Sequence, residues 1–210
     1  MNKLAIIAVA GIAAVATAEP LTVGNGTGGS TGGAVNLLDY ATVTQTRGTG
    51  NTIVTITFNA DIPSVDLEGD ADNFIADLGL GGPGTIHGVG WDTTQMSIDP
   101  SWLSEQSVSF ANAGDAPGLF LTPSGDAFSG TLSYSSGGIV DLGDNGIPDV
   151  VISGGVLRLE FFETFDDFAD ATDGFWLEGS TITLDMTLVP APGALALLGL
   201  GGLASIRRRR

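Results

Sequence analysis

Three observations predict an all-β protein, an antiparallel β-sandwich of the jelly-roll-like kind. Hydrophobic and polar residues alternate along several short stretches, the period of a strand with one face buried. Glycine, proline and aspartate punctuate these stretches at short intervals, as turns between strands require. No internal repeat of useful length is visible, which argues against a propeller or a solenoid. An immunoglobulin-like sandwich is the second choice, and strand order is not legible.

In chain order, Met1-Asn-Lys3 is a short positive region, Leu4 to Val15 is apolar, and Ala16-Thr17-Ala18 is a small-x-small cleavage site. Together they read as a secretory signal peptide over 1–18, cut after Ala18. Residues 19–34 form a glycine-rich segment whose core, Gly24 to Gly33, reads as a linker or wide loop. The sandwich body follows over 35–188. Asn51 to Phe58 alternates, with Val54, Ile56 and Phe58 on one face. Val156 to Phe162 repeats the pattern, with Leu157, Leu159 and Phe161 inward and Arg158 and Glu160 outward. Ser180 to Leu188 is the clearest case, with Ile182, Leu184, Met186 and Leu188 opposing Thr181, Thr183, Asp185 and Thr187. Shorter strand candidates are Val35 to Thr44, Thr85 to Trp91, Ser107 to Asn112, Gly118 to Leu121 and Ala127 to Tyr134. Asp70 to Leu80, Pro100 to Gln106 and Phe165 to Ala171 carry weak helical signals.

The end of the chain, 189–210, is different in kind. Val189-Pro190-Ala191-Pro192 is held extended by its prolines. The run from Gly193 to Ile206 has no charge and no polar face, and Arg207, Arg208, Arg209 and Arg210 close the chain. Such a run suits lipid, and the arginines belong on the cytoplasmic side. Its 14 residues reach about 21 Å as a helix, against roughly 30 Å of hydrocarbon. Snorkelling arginine stems and local thinning narrow that gap. In its order of Pro-x-Pro, apolar helix and basic tail, the segment resembles the PEP-CTERM protein-sorting signal of Gram-negative-type bacteria. Pro190, Pro192, Leu197, Leu198, Gly199 and Arg207 to Arg210 match the pattern, with Ala191 where glutamate is usual. The resemblance implies an exosortase-like processing enzyme as partner and at least transient anchoring of the C-terminus in the membrane. It also implies a setting at the outer surface or in an extracellular polysaccharide matrix. It covers about the last tenth of the chain.

The chain between the two terminal segments, Glu19 to Leu188, carries all 24 acidic residues against two basic ones, Arg47 and Arg158, a formal charge of −22 with His87 neutral. Nucleic acid is excluded as a partner, since phosphate binding rests on lysine and arginine. The acidic surface favours solubility and cation binding. The absence of cysteine rules out thiol catalysis, thiolate metal sites and disulfides.

Asp141-Leu-Gly-Asp-Asn-Gly-Ile-Pro-Asp149 is the most suggestive stretch of the body. It resembles calcium loops of the D-x-N-x-D-G-x-x-D type found in FG-GAP-like repeats, with Asp141, Asn145 and Asp149 as oxygen ligands and Gly146 at the sharp turn. Gly143 stands where the third ligand belongs, and Ile152 where an EF-hand places its bidentate glutamate. A plain hairpin turn is the favoured reading, with calcium as the cofactor of the alternative. Asp66, Glu68, Asp70 and Asp72, and likewise Asp166, Asp167, Asp170 and Asp173, read as solvated loops rather than catalytic carboxylates. His87 lacks a G-x-S-x-G partner and reads as a loop or strand-end histidine with a structural hydrogen bond. Trp91, Trp102 and Trp176, with Phe120, Tyr134 and Phe175, read as core residues, although such rings can also stack on sugars.

The leading reading is an exported, non-enzymatic, acidic envelope or matrix protein with no catalytic residues. A carbohydrate-binding module, with or without calcium, is second and requires a tryptophan exposed beside a polar groove. A secreted hydrolase is third and requires two carboxylates converging in a cleft. The separable tail yields one expectation directly: ending the chain at Leu188 should release a soluble, folded body into the medium. The check is fractionation of expressing cells with a melting curve of the released protein. Retention of the truncated chain inside the cell, or loss of its cooperative melt, would refute a separable tail.

Overall fold

The computed structural model describes residues 21–24, 33–167 and 171–189. The expected signal peptide, most of the glycine-rich segment and the sorting residues from Pro190 to Arg210 lie outside them. Among the described residues no helix is long and apolar enough to cross a membrane.

In chain order the strands are β1 (Thr22–Val23), β2 (Val35–Asn36), β3 (Ala41–Arg47), β4 (Thr52–Phe58), β5 (Ile62–Ser64), β6 (Phe74–Gly79), β7 (Gly84–Ser97) and β8 (Gln106–Asn112). They continue with β9 (Leu119–Leu121), β10 (Gly130–Ser135), β11 (Val140–Asp141), β12 (Val150–Ile152), β13 (Val156–Glu163), β14 (Gly174–Trp176) and β15 (Thr181–Leu188). The first sheet has the order β1-β9-β8-β13-β6-β2. The second runs β3-β4-β15-β7-β14-β5, with β10, β11 and β12 along the free edge of β7. Ladders are antiparallel except β2 with β6. The protein is an all-β sandwich.

The three alternating stretches are strands, as their period requires: β4, β13 and β15. β15 lies between β4 and β7, and Ile182, Leu184 and Met186 are buried without exposed area. Phe58 of the second sheet meets Phe161 of the first edge-on at 5.5 Å, and Phe161 meets Trp176 of the second at 5.3 Å. These T-shaped contacts join the two sheets at the centre of the core.

Two expectations are corrected. Residues 74–79, inside the stretch with a helical signal, form β6, because β13 and β2 offer a ladder on each of its edges. Residues 21–24, in the glycine-rich segment placed ahead of the sandwich body, join the first sheet: Thr22 and Val23 pair with β9, and Leu21 is buried. The signal at 100–106 is one 3₁₀ turn, Leu103–Glu105.

β7 is longer than its sequence pattern promised because its parity changes part-way. Gly88 pairs with Asp185 and Ile86 with Met186, which leaves His87 as the extra residue of a β-bulge. Before the bulge Ile86 is buried; after it Val89, Trp91, Thr93, Gln95 and Ser97 are. Gly88 lets β11 approach, since a Cβ there would stand 2.6 Å from Ile139 Cγ2 and 3.0 Å from the Val140 carbonyl.

Phe161 touches rings from both sheets, so Phe161→Ala should reduce the unfolding free energy by about 3–5 kcal/mol. Urea denaturation provides the measurement. A loss below about 1 kcal/mol would show that the aromatic centre does not hold the sheets together.

Candidate functional site

The three tryptophans separate. Trp176 and Trp91 are buried in the core at 0% and 7% exposure, whereas Trp102 is 46% exposed. Core packing, the default for all three, fails for Trp102. That residue sits just ahead of the 3₁₀ turn between β7 and β8, after a cis Asp99–Pro100 peptide. The turn is anchored from both sides. Leu103 N–H donates to the Phe128 carbonyl (3.1 Å) and Ser104 N–H to the Asp126 carbonyl (3.1 Å). Asp126 in turn accepts from the buried Tyr134 hydroxyl at 2.9 Å. Glu105 reaches back to accept the Trp102 N–H at 2.6 Å, as in a capping box. Trp102 is thus an exposed ring on a fixed backbone.

Pro100, Trp102, Glu105, Phe165 and Asp167 line an open cleft of about 340 Å³. That lies in the range of small-ligand sites, about 300–1,000 Å³. Phe165, 59% exposed, supplies a second aromatic surface. Glu105 and Asp167 supply carboxylates, and the Glu105 pKa is raised by its partial burial and by Asp167, against the opposing Trp102 N–H. Two other clefts are smaller: one beside Arg47 and Leu188, about 220 Å³, and one beside Trp91 and Ser136, about 260 Å³. Neither has an exposed aromatic ring among its lining residues.

Behind this cleft the interior of the sandwich turns polar. Phe161 faces the core, and the strand period carries Glu163 to the same side two residues on. Across from it lie Ser64, at the end of β5, and Asp173, just before β14, whose N–H donates to the Ser64 carbonyl at 3.0 Å. Glu163 and Asp173 have no exposed area. Both Glu163 carboxylate oxygens and Asp173 Oδ1 are buried without a hydrogen bond. Ser64 and Ser101 lie close enough to lower the pKa values of Glu163 and Asp173 respectively, yet neither hydroxyl reaches hydrogen-bonding geometry. Burial pushes the Glu163 carboxyl up to about 9, with Asp173, Glu105 and Asp167 adding to the rise. Burial likewise pushes Asp173 up to about 6, helped by Asp166 and Asp167. Gly174 makes room for this arrangement, because a Cβ there would collide with Gln106 Nε2, which donates to the Met96 carbonyl at 2.7 Å.

The other candidates are structurally engaged. In the 141–149 stretch, Asp141 Oδ1 accepts the Asp144 N–H at 2.9 Å, Asn145 Nδ2 donates to the Asp141 carbonyl at 2.7 Å, and Gly146 is left-handed at φ 71°. Asp149 turns away to His87 Nδ1 at 2.8 Å, and His87 Nε2 meets the Thr187 hydroxyl at 2.8 Å. His87 lies within β7, at the bulge, rather than in a loop or at a strand end. The Thr187–His87–Asp149 chain has the connectivity of a catalytic relay but lies on an outward sheet face, where it pins the loop to β7 and β15. In the 66–73 loop, Asn73 Nδ2 (2.9 Å) and Gly69 N–H (2.7 Å) donate to Glu160 Oε1. The loop covers Glu160, so this outward residue is buried at 1% exposure. Burial raises its pKa despite those donors and Arg158. Among the described residues no three acidic or histidine side chains form a ready-made metal centre.

Comparison with known proteins leaves the site to be judged on its geometry: neither a family model nor a curated protein matches this sequence.

The sequence points to Trp102 and Asp173 but not to Glu163, because the alternating stretch read as a strand ends at Phe162. One more step of the same alternation would have placed a glutamate in the core. Its raised pKa has a sign that can be tested. Between its ordinary value of 4.5 and about 9 the folded chain holds a proton that the unfolded chain has lost. Stability therefore falls as pH rises through that window, by at most about 1.4 kcal/mol per unit. Urea unfolding in chelator at pH 5, 6.5 and 8 should show a decline that Glu163→Gln makes shallower. Equal slopes in the two proteins would contradict a buried, proton-holding Glu163.

Proposed function

We propose that this chain is an exported, non-enzymatic β-sandwich of the cell envelope that binds carbohydrate through the cleft between Trp102 and Phe165. The sandwich is read as jelly-roll-like. Export and sorting rest on the N-terminal signal and on the C-terminal resemblance to a PEP-CTERM segment. An exosortase-like enzyme and the membrane are the partners of the tail, and extracellular polysaccharide is the partner of the body. The observation that carries the binding reading is the exposed Trp102 ring, fixed by its turn and set beside two carboxylates. An aromatic face packs on the C–H face of a sugar ring, while carboxylates accept its hydroxyl protons. The acidic body repels anionic polymers, so the expected ligand is a neutral glycan.

The hydrolase reading has one observation on its side, two carboxylates in one cleft. Glu105, however, is committed to the Trp102 backbone N–H, which gives it a structural task. The 141–149 stretch is read as a turn, so calcium there is the lesser alternative. The test is a binding screen of neutral and uronic-acid polysaccharides against the wild type and Trp102→Ala, by affinity electrophoresis. A neutral polysaccharide should be retarded by the wild type and bind at least about tenfold more weakly, ~1.4 kcal/mol, after the substitution. Unchanged binding in Trp102→Ala would remove the cleft from the function. Release of reducing ends from a bound polysaccharide would move the assignment to the hydrolase.

A further inference from the structure

We propose that the polar end of the sandwich is a binding site for a hard divalent cation, calcium above all, with Glu163 and Asp173 as its carboxylate ligands. It is distinct from the 141–149 loop and lies behind the sugar cleft rather than in it. An acidic cluster alone would not carry this. What carries it is that Glu163 and Asp173 have no exposed area and three carboxylate oxygens between them lack any hydrogen bond. Buried polar groups are nearly always paired, and a buried charge without a partner is among the costliest features a fold can hold.

The surroundings supply oxygen ligands, because the buried unpartnered nitrogens there, Gln95 Nε2 and Trp176 Nε1, are N–H donors that coordinate no cation. Asp166 Oδ1 and the hydroxyls of Ser64 and Ser101 are also buried and unpartnered. Gln106 Nε2 is fixed on the Met96 carbonyl, which leaves the amide oxygen Oε1 unpaired. Carboxylate, hydroxyl and amide oxygens are the ligands of calcium, which accepts six to eight of them in irregular geometry. Zinc and copper want imidazole or thiolate. There is no cysteine, and the single histidine is engaged elsewhere by Asp149 and Thr187. Water can satisfy hydroxyls and amides, but it cannot neutralise two ionised carboxylates. A cation neutralises both and holds the carboxylates ionised, whereas otherwise a proton must take its place on Glu163.

Calcium titration of the full-length chain in detergent, by calorimetry and by melting, tests the site, with magnesium and with sodium at matched ionic strength as controls. Terbium luminescence excited through tryptophan gives a second readout, since Trp102 adjoins Ser101 and Trp176 follows Asp173 by three residues. The wild type should bind calcium with a Kd of about 10⁻⁴ to 10⁻³ M, as extracellular modules do, and melt higher in calcium than in sodium. Glu163→Gln and Asp173→Asn should each bind at least tenfold more weakly and lose terbium emission. Asp141→Ala and Trp102→Ala should bind calcium as the wild type does. Glu163→Gln removes the ionisable carboxyl at nearly constant shape, and Asp173→Asn carries the comparison should the first variant not fold. No calcium-selective rise in the wild type, or binding that survives both substitutions, would overturn the proposal and leave the proton as Glu163's partner. Loss of binding in Asp141→Ala alone would place the ion on the 141–149 loop instead.

Discussion

The structure depends on β7 having a strand on each edge along nearly its whole length. Its 14 residues span about 45 Å, more than the ordinary strand. β15 and β14 follow one another along one side of it, and β12, β11 and β10 along the other. A strand that long accumulates twist, and a strict period of two would eventually turn its buried side chains away from the facing sheet. The bulge at His87 resets the parity, so that Ile86 before it and Val89 and Trp91 after it all face inward. The residue that the bulge turns out is His87 itself, and its two ring nitrogens clamp the 141–149 loop to the sheet. One local irregularity therefore sets both the core register and the place of the most suggestive loop in the sequence.

The same strand divides the interior into two chemistries. Its first half contributes Ile86, Val89 and Trp91, and its second half Thr93, Gln95 and Ser97, all buried. The facing strand β13 changes in step, from Leu157, Leu159 and Phe161 to Glu163. The polarity is therefore shared by both sheets at one end, as expected of an enclosed site and not of a packing error. The apolar end and the aromatic centre must carry the hydrophobic stabilisation, because the polar end contributes desolvation cost instead. Folds tolerate such regions where something besides stability is selected.

Much of the fold was legible because three strands alternate cleanly. Val54, Ile56 and Phe58, and likewise Ile182, Leu184 and Met186, state their burial in their spacing. What was not legible depends on partners. Phe74 to Gly79 becomes a strand through ladders supplied by residues about 80 positions later and about 40 earlier, information that no local window contains. The alternation places Glu160 outward, yet it is buried, with the 66–73 loop folded over it. The candidate site was legible only in pieces. Trp102 was a named possibility, but its exposure follows from a turn held by Phe128 and Asp126, some 25 residues away. Asp173 was one acid among many until β14 and β5 closed around it.

The chain has no cysteine, so no disulfide ties one sheet to the other. The centre is tied by Phe58, Phe161 and Trp176. At the polar end, Glu163 belongs to one sheet, while Ser64 ends β5 of the other and Asp173 directly precedes its β14. An ion between them would join the sheets where the hydrophobic contact gives out. It would also adjoin the segments that carry Trp102 and Phe165, because Glu105 and Asp167 act electrostatically on the buried pair and line the cleft as well. Occupancy of the interior would then stiffen the platform on which a sugar ring stacks, without touching the sugar. In a body with 22 excess negative charges, cations are concentrated at the surface, so even a weak site of this kind would fill in a calcium-containing medium. On this proposal the acidity of the body has a constructive role, since it concentrates the cation that Glu163 and Asp173 would hold.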